Sequence, residues 1–164
     1  MMTVKSLAKK LIVHSCGAGL QHKIRQFHTI YQITHNRHFR EPEMQVLGNF
    51  ISPGFAVADI GANVGVYTHA FSRGVGAEGK VYSFEPVSQN YAILNVLVRK
   101  ARLNNVVPFR VALGSQSIET EMVIPEMDGF TEYYWAHLAK PGDQGRKELH
   151  VTHFTICNRL NYTN

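Results

Sequence analysis

Val57-Ala58-Asp59-Ile60-Gly61-Ala62-Asn63-Val64-Gly65-Val66-Tyr67-Thr68 is the stretch that decides the fold. An apolar run from Phe55 to Ile60 stops at glycines, and an amphipathic segment follows. That order reads as strand, tight turn, helix. Glycine permits the turn and lets a ligand approach the backbone without meeting a Cβ. A helix starting there directs free N–H groups and the positive end of its dipole into the turn. In open α/β sheets, nucleotide-like ligands bind at such a place, beyond the carboxyl ends of the strands.

Spacing narrows the ligand. The dinucleotide fingerprint needs glycine at its first, third and sixth positions, which here hold Gly61, Asn63 and Val66. A P-loop is excluded because no Gly-Lys-Ser/Thr follows. A nicotinamide-dependent oxidoreductase is therefore a disfavoured alternative. What remains is D-x-G-x-N-x-G, with Asp59 just before the first glycine. A carboxylate there repels a pyrophosphate but suits a cation, for instance a sulfonium with a free ammonium.

The second signal is Lys80-Val81-Tyr82-Ser83-Phe84-Glu85-Pro86. It is a short β-rich run that ends in an acid, and Pro86 stops it. Glu85 lies 26 residues after Asp59, near the spacing at which α/β nucleotide folds place an acid on ribose hydroxyls. A carboxylate has two acceptor oxygens and can take both hydroxyls. The competing reading is an α/β turn whose acids only cap helices.

With Asn104-Asn105-Val106-Val107 and Val111-Ala112-Leu113-Gly114, these segments resemble the FkbM-type methyltransferases over roughly residues 45–160. The resemblance implies an α/β, Rossmann-like class I methyltransferase sheet and S-adenosyl-L-methionine as cofactor. It implies methylation of oxygen on a small-molecule or glycan acceptor, with no nucleic acid partner expected. Asp59 is then expected at the methionine ammonium, directly or through water. Gly61, Asn63 and Gly65 shape the turn. Thr68 either bonds the carboxylate end or caps the helix, Tyr67 packs over the cofactor or into the core, and Glu85 holds the ribose. No residue stands out as general base. Resembling sequences continue with a fourth parallel strand carrying a K-I-D-x-E-G-type motif, which is not present here. The sheet is thus expected to be truncated after its third parallel strand, leaving Phe55–Ile60 at an edge. Two consequences are open: an inactive, non-catalytic interaction or regulatory module, or a partner chain that supplies the missing strands.

The 164 residues are enough for a domain with a real core. Of 17 Lys and Arg, seven precede Glu41, a stretch without any acid, leaving ten against 12 acids. The formal charge of +5 therefore belongs to an N-terminal arm. We divide the chain into a basic helical arm over 1–51 and a partial methyltransferase domain over 52–164. In the arm, Val4, Leu7, Ala8 and Leu11 fall at helical spacing, as do Leu20, Ile24, Phe27 and Tyr31. Such an arm either touches a membrane surface or an anionic substrate, or covers one edge of the sheet. Glu41-Pro42-Glu43 opens a third helix with Met44, Leu47, Phe50 and Ile51 as its apolar face.

Five histidines crowd the arm, but no carboxylate supports His35 and His38 as a metal pair, and no metal is expected. Cys16 and Cys157 match no disulfide or metal pattern. Without a signal core or an apolar run long enough to span a bilayer, the expected location is cytoplasmic.

Beyond the turn, Val66, Ala70 and Phe71 are expected to bury the first crossover helix, which Gly74 and Gly76 end. Ser88 is expected to cap the next helix, with Tyr91, Leu94, Val98 and Ala101 inward. Val107–Leu113 reads as a third strand, Ile118–Ile124 as an added strand and Leu149–Phe154 as another. Phe130, Tyr133, Tyr134 and Trp135 either line a substrate mouth or pack their loop.

Overall fold

The computed structural model describes residues 18–35, 44, 46–114, 119–127, 130–131, 136–138, 141–143 and 145–154. Its centre is a parallel sheet in the order β1 (Ala56–Ile60), β2 (Lys80–Phe84), β3 (Val106–Phe109). In register, Asp59 faces Ser83, Ile60 faces Phe84, and Val81 faces Val106. Between the strands run helices α2 (Val66–Val75) and α3 (Ser88–Lys100), preceded by α1 (Ala18–Thr34). This is the expected α/β architecture.

Strand side chains alternate between faces. One face carries Val57, Asp59, Val81, Ser83 and Val106. Val75 of α2 packs there with Val81, Leu103 and Val106, joined by Ile51, Val57, Phe71, Val98 and Ala101. On the opposite face Ala56, Ala58 and Ile60 are exposed, while Phe84 stacks on Phe109 at 5.2 Å between centroids. Among the described strands β1 pairs only with β2, so it is the sheet edge.

The buried face of α2 differs from the expected one. Thr68, His69, Ser72 and Val75 are buried, and Val66, Ala70 and Phe71 are half-buried. Thr68 and Ser72 are tolerated because partners on other elements meet them, whereas His69 Nδ1 is buried without a partner among the described residues. Asn105, just before β3, accepts from Ser72 Oγ at 2.6 Å. Its amide donates to the carbonyls of Ser72 at 2.9 Å and Gly76 at 2.8 Å. On α3 the buried residues are Asn90, Ile93, Leu94 and Leu97, so of the four expected residues only Leu94 is fully buried. Ser88 is not its cap. Val87 holds that position, and Ser88 Oγ donates to Gln89 at 3.1 Å. Glu85 already accepts the Val87 N–H, which takes over the capping task.

The third strand is shorter than expected. Glu85 N–H donates to Phe109 O at 3.0 Å, and the next donor on that side, Val87 N–H, turns to Glu85 Oε1 instead of extending the ladder. The chain leaves the sheet at exposed Arg110. It re-forms as β4 (Ala112–Leu113), parallel to β9 (Arg146–Phe154), which begins three residues earlier than Leu149. A second sheet runs β4, β9, β5 (Glu119–Ile124), β8 (His137–Leu138), with β9–β5 and β5–β8 antiparallel. β6 (Glu126–Met127) and β7 (Phe130–Thr131) form a hairpin. Val87, before α3, packs with Met122 and Ile124 of β5 in a second core cluster, joined by Ala112 and Ala136.

α1 lies against α2 and α3, with Ile33 only 1% exposed. Near the expected third helix, Met44 is buried and Leu47–Asn49 form a 3₁₀ turn. Phe50 is 73% exposed rather than inward. The tighter turn, closed by Phe50 N–H on Leu47 O at 3.0 Å, takes it off the apolar face. No helix among the described residues is long and apolar enough to cross a membrane. The first expected helix, Glu41–Glu43, His14, His38, Tyr133–Trp135 and both cysteines lie outside the described residues.

Candidate functional site

The turn after β1 is tied to the end of β2. Gly61 and Ala62 both donate their N–H to Phe84 O at 2.9 Å, and Gly65 N–H reaches Ala62 O at 2.9 Å. Asn63 N–H donates to Glu85 Oε2 at 2.7 Å. Four amides of the turn are therefore committed inside the protein. The expectation that free amides face a ligand fails for these four. An anion would receive no donor from them, which suits the exclusion of a pyrophosphate.

Three positions carry left-handed backbone: Gly61 at φ 77°, Asn63 at φ 50° and Gly65 at φ 96°. Asparagine tolerates this region better than most residues. The two glycines differ in surroundings. A Cβ on Gly65 would lie 2.7 Å from Leu97 Cδ2 and 2.8 Å from Leu94 Cδ1, so Gly65 lets α3 pack against the start of α2. A Cβ on Gly61 would meet nothing within 4 Å. Gly61 therefore leaves an approach to the backbone from solvent.

Asp59 and Glu85 stand on the same sheet face, because Glu85 follows Ser83 by two residues and Ser83 is the register partner of Asp59. Both are buried, at 7% and 4% exposure. Asp59 Oδ2 accepts from Thr68 Oγ1 at 2.5 Å. Burial raises the Asp59 pKa, and hydrogen bonds from the Thr68 side chain and backbone oppose that rise. Asp59 thereby caps the first turn of α2 from a neighbouring strand. Thr68 is fully buried, and its hydroxyl also meets Ser83 Oγ at 3.0 Å. It makes no side-chain cap of its own helix, and its hydroxyl points inward.

Glu85 uses both oxygens: Oε2 for Asn63 and Oε1 for Val87 N–H at 2.9 Å. Burial raises its pKa. The Val87, Asn63 and Asn90 hydrogen bonds pull it down, and the Asp59 charge pushes it up. The two acids are close enough to feel each other. Among the described residues neither pairs with a Lys or Arg. Tyr67 is half-buried and tilts against Phe71 with centroids 6.0 Å apart. No group of His, Cys, Asp and Glu among the described residues forms a metal site. Sequence reasoning missed Ser83 and Asn90. The alternation Val81, Ser83, Glu85 was the signal for Ser83; Asn90 had none.

The methyltransferase FkbM domain matches residues 59–160, more than half of the chain. The chain belongs to the FkbM methyltransferase domain family. This sets aside the oxidoreductase alternative. Within this FkbM chain, 58 residues are 40% identical to the tRNA (adenine(58)-N(1))-methyltransferase catalytic subunit TRM61 of Yarrowia lipolytica, covering 35% of the chain and 15% of that protein. A SAM-dependent methyltransferase of Aquifex aeolicus overlaps 52% of the chain and 47% of its own, at 26% identity and TM-score 0.38. Fibrillarin of Aeropyrum pernix, solved with natively bound S-adenosyl-L-methionine, overlaps 37% and 26% at 23% identity and TM-score 0.34. The FkbM chain thus spans a small part of the curated relative and less than half of either solved chain.

Proposed function

We propose that this chain binds S-adenosyl-L-methionine across the ends of β1 and β2, for methyl transfer to oxygen on a small molecule or glycan. The observation that carries this is the buried pair Asp59 and Glu85, with no Lys or Arg partner among the described residues. A buried carboxylate without a compensating cation is costly. A ligand bearing a sulfonium and an ammonium offsets that cost.

The residues fit such a ligand. Asp59, held by Thr68, whose hydroxyl Ser83 also meets, faces the cationic end. Glu85 accepts from two backbone amides and from Asn90, which leaves about one of a carboxylate's four acceptor sites for a ribose hydroxyl. Glu85 is already desolvated and pinned, so little ordering remains to be lost on binding. Gly61 leaves the approach open. When bound, the cofactor supplies an activated methyl for direct displacement. The protein's share is alignment and exclusion of water. Thr68 acts here by positioning Asp59 rather than by touching the ligand. No described side chain stands as general base.

Calorimetric titration with S-adenosylhomocysteine and with a nicotinamide dinucleotide tests the reading. Binding of the first alone is expected; binding of the dinucleotide, or of neither, overturns it. A second reading is favoured by the β1 edge, where Phe55 is 50% and Ile60 62% exposed. In it the chain is an interaction module that receives a strand from a partner chain. Under that reading, methylation of extracts requires the added partner.

A further inference from the structure

We propose that the outer face of α1 lies on an anionic bilayer surface. Leu20, Ile24, Phe27 and Tyr31 follow one another at spacings of four, three and four residues and form a single stripe. They are 52%, 51%, 76% and 42% exposed. Ile33, on the opposite side of the helix, is 1% exposed and anchors α1 to the body. The stripe thus points away from the protein and floors a shallow apolar hollow edged by Lys23 and His28.

Charge selects the occupant. α1 contains no Asp or Glu, and its sequence holds Lys23 and Arg25. The chain has no acid anywhere before Glu41. Pairing the stripe with its own copy would set Lys23 and His28 beside their equivalents with no carboxylate on α1 to offset them. Phosphatidylserine-type headgroups attract Lys23 instead of repelling it. An apolar stripe with flanking bases is the pattern of a helix that lies in the headgroup plane. Tyr31 suits that plane, with an apolar ring and a polar tip. This surface is independent of the methyl-donor reading, since the stripe shares no residue with the turn or its acids.

The test is flotation of the full chain with vesicles of phosphatidylcholine alone and of phosphatidylcholine with phosphatidylserine. Wild type is expected to float with the anionic vesicles, less so at high salt, and several-fold less with neutral ones (roughly, from the headgroup attraction). The double variant Ile24→Ser/Phe27→Ser, with unchanged far-UV circular dichroism, is expected to bind on the order of tenfold or more weakly. Lys23→Gln, which removes no apolar surface, is expected to weaken anionic binding with neutral binding unchanged. Equal flotation of the double variant and wild type would overturn the proposal and assign binding to other basic residues. Absence of flotation overturns it as well. So does a dimer in solution that Phe27→Ser dissociates while vesicle binding persists, because the stripe would then be a contact between copies.

Discussion

The amide of Asn63 donates to Glu85 Oε2 at 2.7 Å, across 22 residues of sequence. One acid thus fixes the glycine turn and, in our reading, holds the ribose. Two substitutions separate these tasks. Glu85→Ala leaves the Asn63 and Val87 amides without their acceptor, each at about 1–3 kcal/mol. Glu85→Gln retains one carbonyl acceptor and removes the buried charge. Its NH2 faces one of the two amides donor to donor, so its urea midpoint is expected between wild type and Glu85→Ala, while S-adenosylhomocysteine affinity drops roughly tenfold or more. Unchanged affinity in Glu85→Gln would leave the acid with a purely structural role.

Burial, above all, makes Asp59 and Glu85 hold their protons to higher pH in the folded chain than in the unfolded one. Between the ordinary carboxylate range and the raised native values, the folded state binds more protons. These two groups therefore lower stability as pH rises through that window, and their cost is constant once both are ionised. Asp59→Asn removes one of these falling contributions, so its Tm is expected to gain on wild type as pH rises through that window and then to keep a constant difference. Binding runs the other way. A cationic cofactor favours the ionised acids, so wild-type affinity for S-adenosyl-L-methionine is expected to rise across the same window and then level. Titrations at several pH values check this, and a flat affinity profile would contradict the assigned charge pairing.

Gly61 and Gly65 have similar backbone angles but different surroundings. Gly65→Ala combines left-handed strain with a clash on Leu94 and Leu97, and is expected to cost roughly 2–4 kcal/mol. Gly61→Ala meets open space and costs only the backbone strain, about 1–2 kcal/mol. Its methyl group would project toward the approach to the turn. Thermal denaturation should rank Gly65→Ala as the less stable. Calorimetry should show the larger affinity loss per unit of lost stability in Gly61→Ala.

Asn105 makes three hydrogen bonds, two of them buried and one part-buried, to the far end of α2. Asn105→Ala is expected to destabilise by roughly 2–4 kcal/mol. The urea midpoint should fall with an unchanged m-value. Affinity per folded molecule should hold, because Asn105 joins α2 to β3 at the end opposite the turn.

Strand, glycine turn, helix and the later acid are written locally, so the sequence by itself determined the α/β class, the β-α-β-α-β order and the candidate ligand turn. Periodicity and glycine chemistry act over a few residues and need no knowledge of what packs nearby. Partnerships needed the fold. Ser83 reaches the Thr68 hydroxyl that holds Asp59 only because β1 and β2 align Asp59 with Ser83 in one register. Val66 and Phe71 yielded the inner face of α2 to Thr68 and Ser72 because strand ends and Asn105 supply polar partners there. Likewise Val107–Leu113 became two strands because the next donor on its neighbour, Val87 N–H, is taken by the Glu85 side chain. A buried polar atom is favourable or ruinous according to what faces it, and only the tertiary structure decides that.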